Sequence, residues 1–141
     1  MKIKYFIALF IFLATIACAS AETFTPDQGI FAFREVETFE INEINFTVPA
    51  DYNVTYHGDT QMNFTNGHDD LSITVDENAK VKKIKSDRSK NMTSGKTMLG
   101  SAEGYLIDNN GTYTFSYKED EKLIVIKSGD MSLMIGVMDN N

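Results

Sequence analysis

Residues 104–128, GYLIDNNGTYTFSYKEDEKLIVIKS, constrain the fold of this chain more than any other stretch. Tyr113, Phe115 and Tyr117 alternate with Thr112, Thr114 and Ser116. A period of two sends every second side chain to the same face, so this is a strand with one buried face. Asn110-Gly111 precedes it, and both residue types accept the positive φ that a type I′ hairpin turn requires. Lys118 to Lys122 reads as a charged turn. Leu123-Ile124-Val125-Ile126 follows, too short for a helix and rich in β-branched residues, which predicts a central strand. Three consecutive antiparallel strands are therefore expected, and this meander is the expected nucleus of the fold.

The same pattern recurs upstream. Ile44, Phe46 and Val48 share one face of a strand that Pro49 ends, because proline has no donor for a ladder. Tyr52, Val54 and Tyr56 continue it after a turn. Met62 and Phe64 mark a short strand, Asn66-Gly67 a hairpin, and Leu71, Ile73 and Val75 a further strand. Gly100 and Gly104 suggest a bend or bulge before the meander. After Asp130 the period changes: Leu133, Met134, Val137 and Met138 fall at helical spacing, with Asp130 or Ser132 as cap and the methionines on the core side. The expected fold is α+β: a curved antiparallel β-sheet of six or seven strands packed by one or two helices, including a short C-terminal helix.

The N-terminus reads as an export leader. Lys2 and Lys4 precede an apolar run from Tyr5 to Ala17, then Ala19-Ser20-Ala21 supplies small residues at the cleavage positions. The run is shorter than the roughly 20 residues a spanning helix needs, so no membrane span is expected after cleavage. Residues 1–21 are thus expected to be a signal peptide, 22–42 an N-terminal arm whose Ile30, Phe31 and Phe33 dock on the domain or form an irregular edge strand, and 43–141 a single α+β domain. Cys18 follows Thr15-Ile16-Ala17, where a lipoprotein box prefers leucine in place of Thr15. Lipidation of Cys18 is the alternative to its removal. Past Ala21 there is no cysteine, so packing alone must hold the domain.

Charge narrows the partners. The chain carries −7, and losing Lys2 and Lys4 takes it to −9. Such a body repels nucleic acid and anionic membrane. One segment opposes the trend: Lys80, Lys82, Lys83, Lys85, Arg88 and Lys90 form a local positive patch within 76–95, expected as a solvated short helix or mobile loop. This patch and a subset of the tyrosines at 52, 56, 105, 113 and 117 are the candidate binding surface for a protein or glycan.

Asn-x-Thr occurs at Asn45, Asn53, Asn63, Asn91 and Asn110. Chance predicts about 1.5 such glycosylation acceptors in a chain of this composition. The excess suits an exported surface protein.

Catalytic and metal motifs are weak. His57 and His68 are the two histidines, and His68 adjoins Asp69 and Asp70, but no metal-ligand spacing joins them. Asp108-Asn109-Asn110-Gly111 begins like a calcium loop, yet TYTFSY follows as strand. Ser94-Gly95-Lys96-Thr97 resembles the end of a P-loop, but position 90 is Lys90 and not the glycine required. No serine sits in a G-x-S-x-G elbow. No cofactor is implied.

At Ile44-Asn45-Phe46-Thr47-Val48-Pro49-Ala50-Asp51-Tyr52 the chain resembles small exported proteins of methanogenic archaea that share an F-x-I/V-P-x-x-Y block. The resemblance extends over residues 43–138, through the Gly-Tyr strand, the Tyr-x-Phe-x-Tyr strand, the apolar strand and the tail helix. The layout is also similar to PsbP-like α/β sandwiches. The archaeal family has no assigned activity, so the resemblance to it assigns no functional residue. PsbP-like sandwiches are mostly non-enzymatic accessory modules, and that resemblance is one of fold only. The leading expectation is a non-catalytic secreted or cell-envelope module. A small secreted hydrolase using His57 or His68, and a structural or inhibitory protein acting by edge-strand pairing, are the alternatives.

Overall fold

The computed structural model describes residues 34–81 and 83–139. The leader, Cys18, the arm residues Ile30, Phe31 and Phe33, and Lys82 lie outside the described residues.

Nine strands and one helix are described: β1 (Val36–Ile41), β2 (Ile44–Pro49), β3 (Asn53–His57), β4 (Gln61–Thr65), β5 (Asp70–Glu77), β6 (Met92–Leu99), β7 (Ala102–Asn109), β8 (Thr112–Glu119), β9 (Lys122–Ser128) and α1 (Met131–Asp139). Seven strands form one antiparallel sheet in the order β3-β4-β5-β9-β8-β7-β6, and β1 pairs with β2 in a separate hairpin. The domain is mostly antiparallel sheet with one short C-terminal helix.

The meander forms as β7, β8 and β9. Asn110 (φ 53°) and Gly111 (φ 89°) are both left-handed, as the two-residue turn demands. The charged turn is tighter than the sequence suggests. Asp120 (φ 51°) and Glu121 (φ 65°) make it alone, while Lys118, Glu119 and Lys122 already belong to strands. No bulge interrupts the pairing of β6 with β7. Gly100 (φ 57°) serves the turn itself, and Gly104 lies in regular register with Thr97.

One face of the large sheet is the core face. Phe64, Met62, Leu71, Ile73, Val75, Ile124, Ile126, Phe115 and Tyr117 are buried there. The β1–β2 hairpin and α1 cover them with Ile41, Ile44, Phe46, Val48, Leu133, Met134, Val137 and Met138. Phe39 meets Phe64 edge-on at a centroid separation of 5.0 Å, joining the small hairpin to the sheet. Each such buried side chain contributes about 1.5–3 kcal/mol over its exposed state, which lets the core close without a disulfide. Residues 36–41, part of the arm in the sequence reading, form β1. Of these only Ile41 is buried and Phe39 half-buried, so the strand leaves little trace in hydropathy.

The helix begins where its cap allows. Asp130 Oδ1 accepts from the backbone N–H of Ser132 at 3.0 Å and Leu133 at 3.2 Å. These are first-turn donors with no partner inside the helix. Met134 and Met138 are buried on its core side and Met131 packs partly against it.

Both free edges of the large sheet are blunted. β3 carries a bulge between Val54 and Tyr56. β6 places Lys96 at mid-strand and has Asp87 bridged to Met92 at one end. Bulges and edge lysines disfavour the docking of a further strand.

Candidate binding site under the cationic strap

The sheet order creates the site. β5 lies near the middle of the sheet, and the next strand, β6, lies at the far edge beyond β9, β8 and β7. At about 4.8 Å per strand the chain must travel roughly 19 Å across a face. Asn78 (φ 58°) turns it out of β5. Residues 78–81 and 83–86 then run as an irregular strap over the face opposite the core. Of the short helix or mobile loop expected within 76–95, the described residues form no α-helix: after β5 they are irregular as far as a single 3-10 turn at Arg88–Lys90, and β6 follows. Val81 and Ile84 are the strap's large apolar residues, too few for a helical stripe, and the backbone groups find partners on the sheet instead.

Those partners pin the strap along its length. Lys118 Nζ donates to the Ala79 carbonyl. The Tyr105 hydroxyl donates to the Ile84 carbonyl at 2.7 Å, and Ser94 Oγ donates to the same carbonyl. The Ser94 N–H donates to Ser86 Oγ at 2.9 Å. Asp87 and Met92 then exchange backbone bonds at 2.8 and 2.9 Å. Arg88–Lys90 is a 3-10 turn capped by the Asp87 side chain. Hydrogen bonding by the Ser89 hydroxyl, aided by the backbone N–H groups of Ser89 and Lys90, holds the Asp87 carboxyl below its usual range.

Beneath the strap is a groove of about 440 Å³. Ile84, Met92, Ile107, Leu123 and Val125 give it apolar walls, Thr112, Thr114 and Ser116 supply hydroxyls, and Lys80 and Lys127 bring two ammonium groups. Alternation explains this mixture. Thr114 and Ser116 on β8, Val125 and Lys127 on β9, and Ile107 on β7 all have the parity that faces away from the core. On the strap's other flank, Val81 and Lys83 line a second groove of about 410 Å³ against Tyr105, Gly104 and Lys118.

The strap's cations are available. Lys80, Lys83, Lys85 and Arg88 are exposed, and among the described residues none forms an ion pair. Among the described residues Lys127 likewise forms no ion pair. By contrast Lys90 pairs with Asp87, Lys96 with Glu103 and Lys122 with Glu43. Lys127 lies outside the 80–90 cluster of cations. Its signal was the parity it shares with Val125, which becomes informative only once the strap's path is known.

The other candidate residues are dispersed. His57 ends β3 and His68 lies in the β4–β5 turn, so the two sit at opposite ends of β4. Both are exposed, and among the described residues neither imidazole makes a hydrogen bond. His68, Asp69 and Asp70 line a polar groove of about 600 Å³ with Thr55, Asn63 and Ser72. No group of three His, Cys, Asp or Glu side chains among the described residues is placed to hold a metal ion. Asp108 Oδ1 accepts from the Gly111 N–H at 3.0 Å, the bond of a hairpin turn. Ser94, Gly95, Lys96 and Thr97 lie within β6.

Of the tyrosines, Tyr52 and Tyr117 are buried, Tyr105 and Tyr113 half-buried, and Tyr56 is 53% exposed. Burial, reinforced by the carboxylates of Asp69, Asp130 and Asp51, pushes the Tyr52 phenol up to about 12. Burial also raises Glu119, with Asp120 adding to it. The acceptor residues Asn45, Asn53, Asn91 and Asn110 are exposed and Asn63 is half-buried in β4. Asn91 Nδ2 donates to Asn110 Oδ1 at 2.8 Å, which puts two of the five acceptors side by side.

Among the described residues no helix is long and apolar enough to cross a membrane. No protein-family model and no curated protein matches the sequence. A solved chain from Bacteroides thetaiotaomicron is similar over 73% of this chain, with a TM-score of 0.50 and 11% sequence identity. This chain spans 46% of the length of that one. At that identity the likeness concerns the fold alone.

Proposed function

We propose that the chain is a non-catalytic module, secreted or held at the cell envelope, that binds a protein or glycan on the outer sheet face along the strap. One observation carries this reading: unpaired cations are concentrated on a segment fixed over a groove, on a chain of net charge −7. A solvated loop needs no such anchoring, whereas a binding surface gains from having its charges held in place. The acceptor asparagines and the leader fit the same address. The hydrolase alternative would use His57 or His68, the latter in the polar groove, but among the described residues neither histidine has an orienting partner of the kind a general base uses. Edge pairing is disfavoured by the bulge in β3 and by Lys96 in β6.

The test is retention of the purified chain on immobilised polyglutamate and polygalacturonate at low salt. Despite its net charge the protein is expected to be retained. A Lys83→Glu, Lys85→Glu, Arg88→Glu variant is expected to flow through. Equal behaviour of the two proteins would remove the strap from the function.

A further inference from the structure

We infer that the groove beneath the strap is an anchor pocket for an acidic peptide segment, its carboxylates lying along the strap and one aliphatic side chain entering the groove. The inference rests on the reading of the strap as the binding face and names the partner's chemistry. Three observations select it.

The first is the wall chemistry. Ile84, Ile107, Leu123 and Val125 present hydrocarbon where the outer face of a sheet is normally polar. A volume of about 440 Å³ lies within the range of small ligand pockets, about 300–1,000 Å³, and exceeds what one aliphatic side chain needs. A glycan has no comparable apolar anchor to place there.

The second is the distribution of charge. Lys80 and Lys127 line the groove, while Lys83, Lys85 and Arg88 continue beyond it along the strap. A single-headed amphiphile would meet the first two ammonium groups and leave the rest without a counter-charge. A chain with several carboxylates meets the whole row.

The third is fixation. Tyr105 and Ser94 hold the Ile84 carbonyl, so the groove's roof is positioned before a partner arrives. An apolar anchor in a preformed pocket, ringed by steering charges, is how peptide interfaces concentrate their affinity.

The experiment measures fluorescence anisotropy with a fluorescein-labelled decaglutamate peptide and the same peptide carrying one central leucine or alanine. The leucine probe is expected to bind at least about tenfold more tightly than the other two, a difference that reports the anchor. Thr114→Phe fills the groove from its floor and should abolish the leucine advantage while leaving decaglutamate binding intact. Thr114→Val, of nearly the same volume as the native residue, should retain it. Lys80→Gln with Lys127→Gln should weaken every probe. If decaglutamate binds and leucine adds nothing, the anchor pocket is refuted and the strap reading stands. If dodecanoate displaces the leucine probe equally well in the wild type and the lysine variant, the groove takes a lipid tail and the peptide assignment falls. If no probe binds at all, both the pocket and the strap reading fall.

Discussion

The Tyr105 hydroxyl reaches the carbonyl of Ile84 at 2.7 Å across 21 residues of sequence. Through it the far half of the sheet grips the segment that crosses over it. Replacing Tyr105 by Phe removes one such bond and leaves Ser94 on the same carbonyl. The expected cost is about 0.5–1.5 kcal/mol. Tryptic cleavage at Lys83 and Lys85 should accelerate several-fold, and the urea midpoint should fall only by the small amount that this cost implies. A variant as protease-resistant as the wild type would show that the bond does not restrain the strap.

Two glycines in paired strands should respond oppositely to alanine. A Cβ on Gly104 would lie 2.3 Å from the Ser116 carbonyl oxygen and 2.7 Å from the Phe115 ring. Both neighbours are fixed by the sheet, so Gly104→Ala should cost at least about 1–3 kcal/mol. At Gly95 a Cβ meets nothing within 4 Å. Gly95→Ala should be neutral or stabilising, by up to about 1 kcal/mol, because alanine restricts the unfolded chain. Chemical denaturation of both variants decides it.

Glu121 holds φ 65° in the β8–β9 turn without being glycine or asparagine. Left-handed backbone costs such a residue about 1–2 kcal/mol. Glu121→Gly relieves this and gives back part of the gain as unfolded-chain entropy. The net expectation is a stabilisation of about 0.5–1 kcal/mol, seen as a higher urea midpoint with an unchanged slope.

Tyr52 ties stability to alkaline pH. Its folded pKa, raised to about 12 from 10.0, lies above its unfolded value, so the folded state prefers the neutral phenol. The contribution is fully present below pH 10 and is lost as pH rises through 10 towards 12. Stability curves between pH 9 and 12 should slope downward in the wild type, and Tyr52→Phe should remove this part of the slope. A variant with the wild-type slope would assign the effect to other groups.

The strands were legible where one face is dry and the other wet. On β5 Leu71, Ile73 and Val75 are buried while Ser72, Thr74 and Asp76 between them are only half-buried, and the period of two records that contrast directly. The Asn110-Gly111 turn and the Asp130 cap were legible because each depends on a residue and its immediate neighbours. β1 was not, since most of its side chains are exposed. Nor was the path of the strap, which follows from β5 and β6 being far apart in the sheet. The lysines were visible as a patch, but the groove beneath them joins Ile84, Ile107 and Val125, which no local pattern relates.

The seam between β5 and β9 sets the order of assembly. Leu71 faces Ser128 and Glu77 faces Lys122, so the middle of the sheet is sewn from segments some fifty residues apart. Each half, β3 to β5 and β6 to β9, is a run of neighbouring hairpins that needs little loop closure. Until the last strand emerges, the first half exposes Leu71, Ile73 and Val75 along an unpaired edge. A nascent or truncated chain ending before β9 is therefore adhesive, and only arrival of β9 turns two sticky ribbons into one sealed sheet.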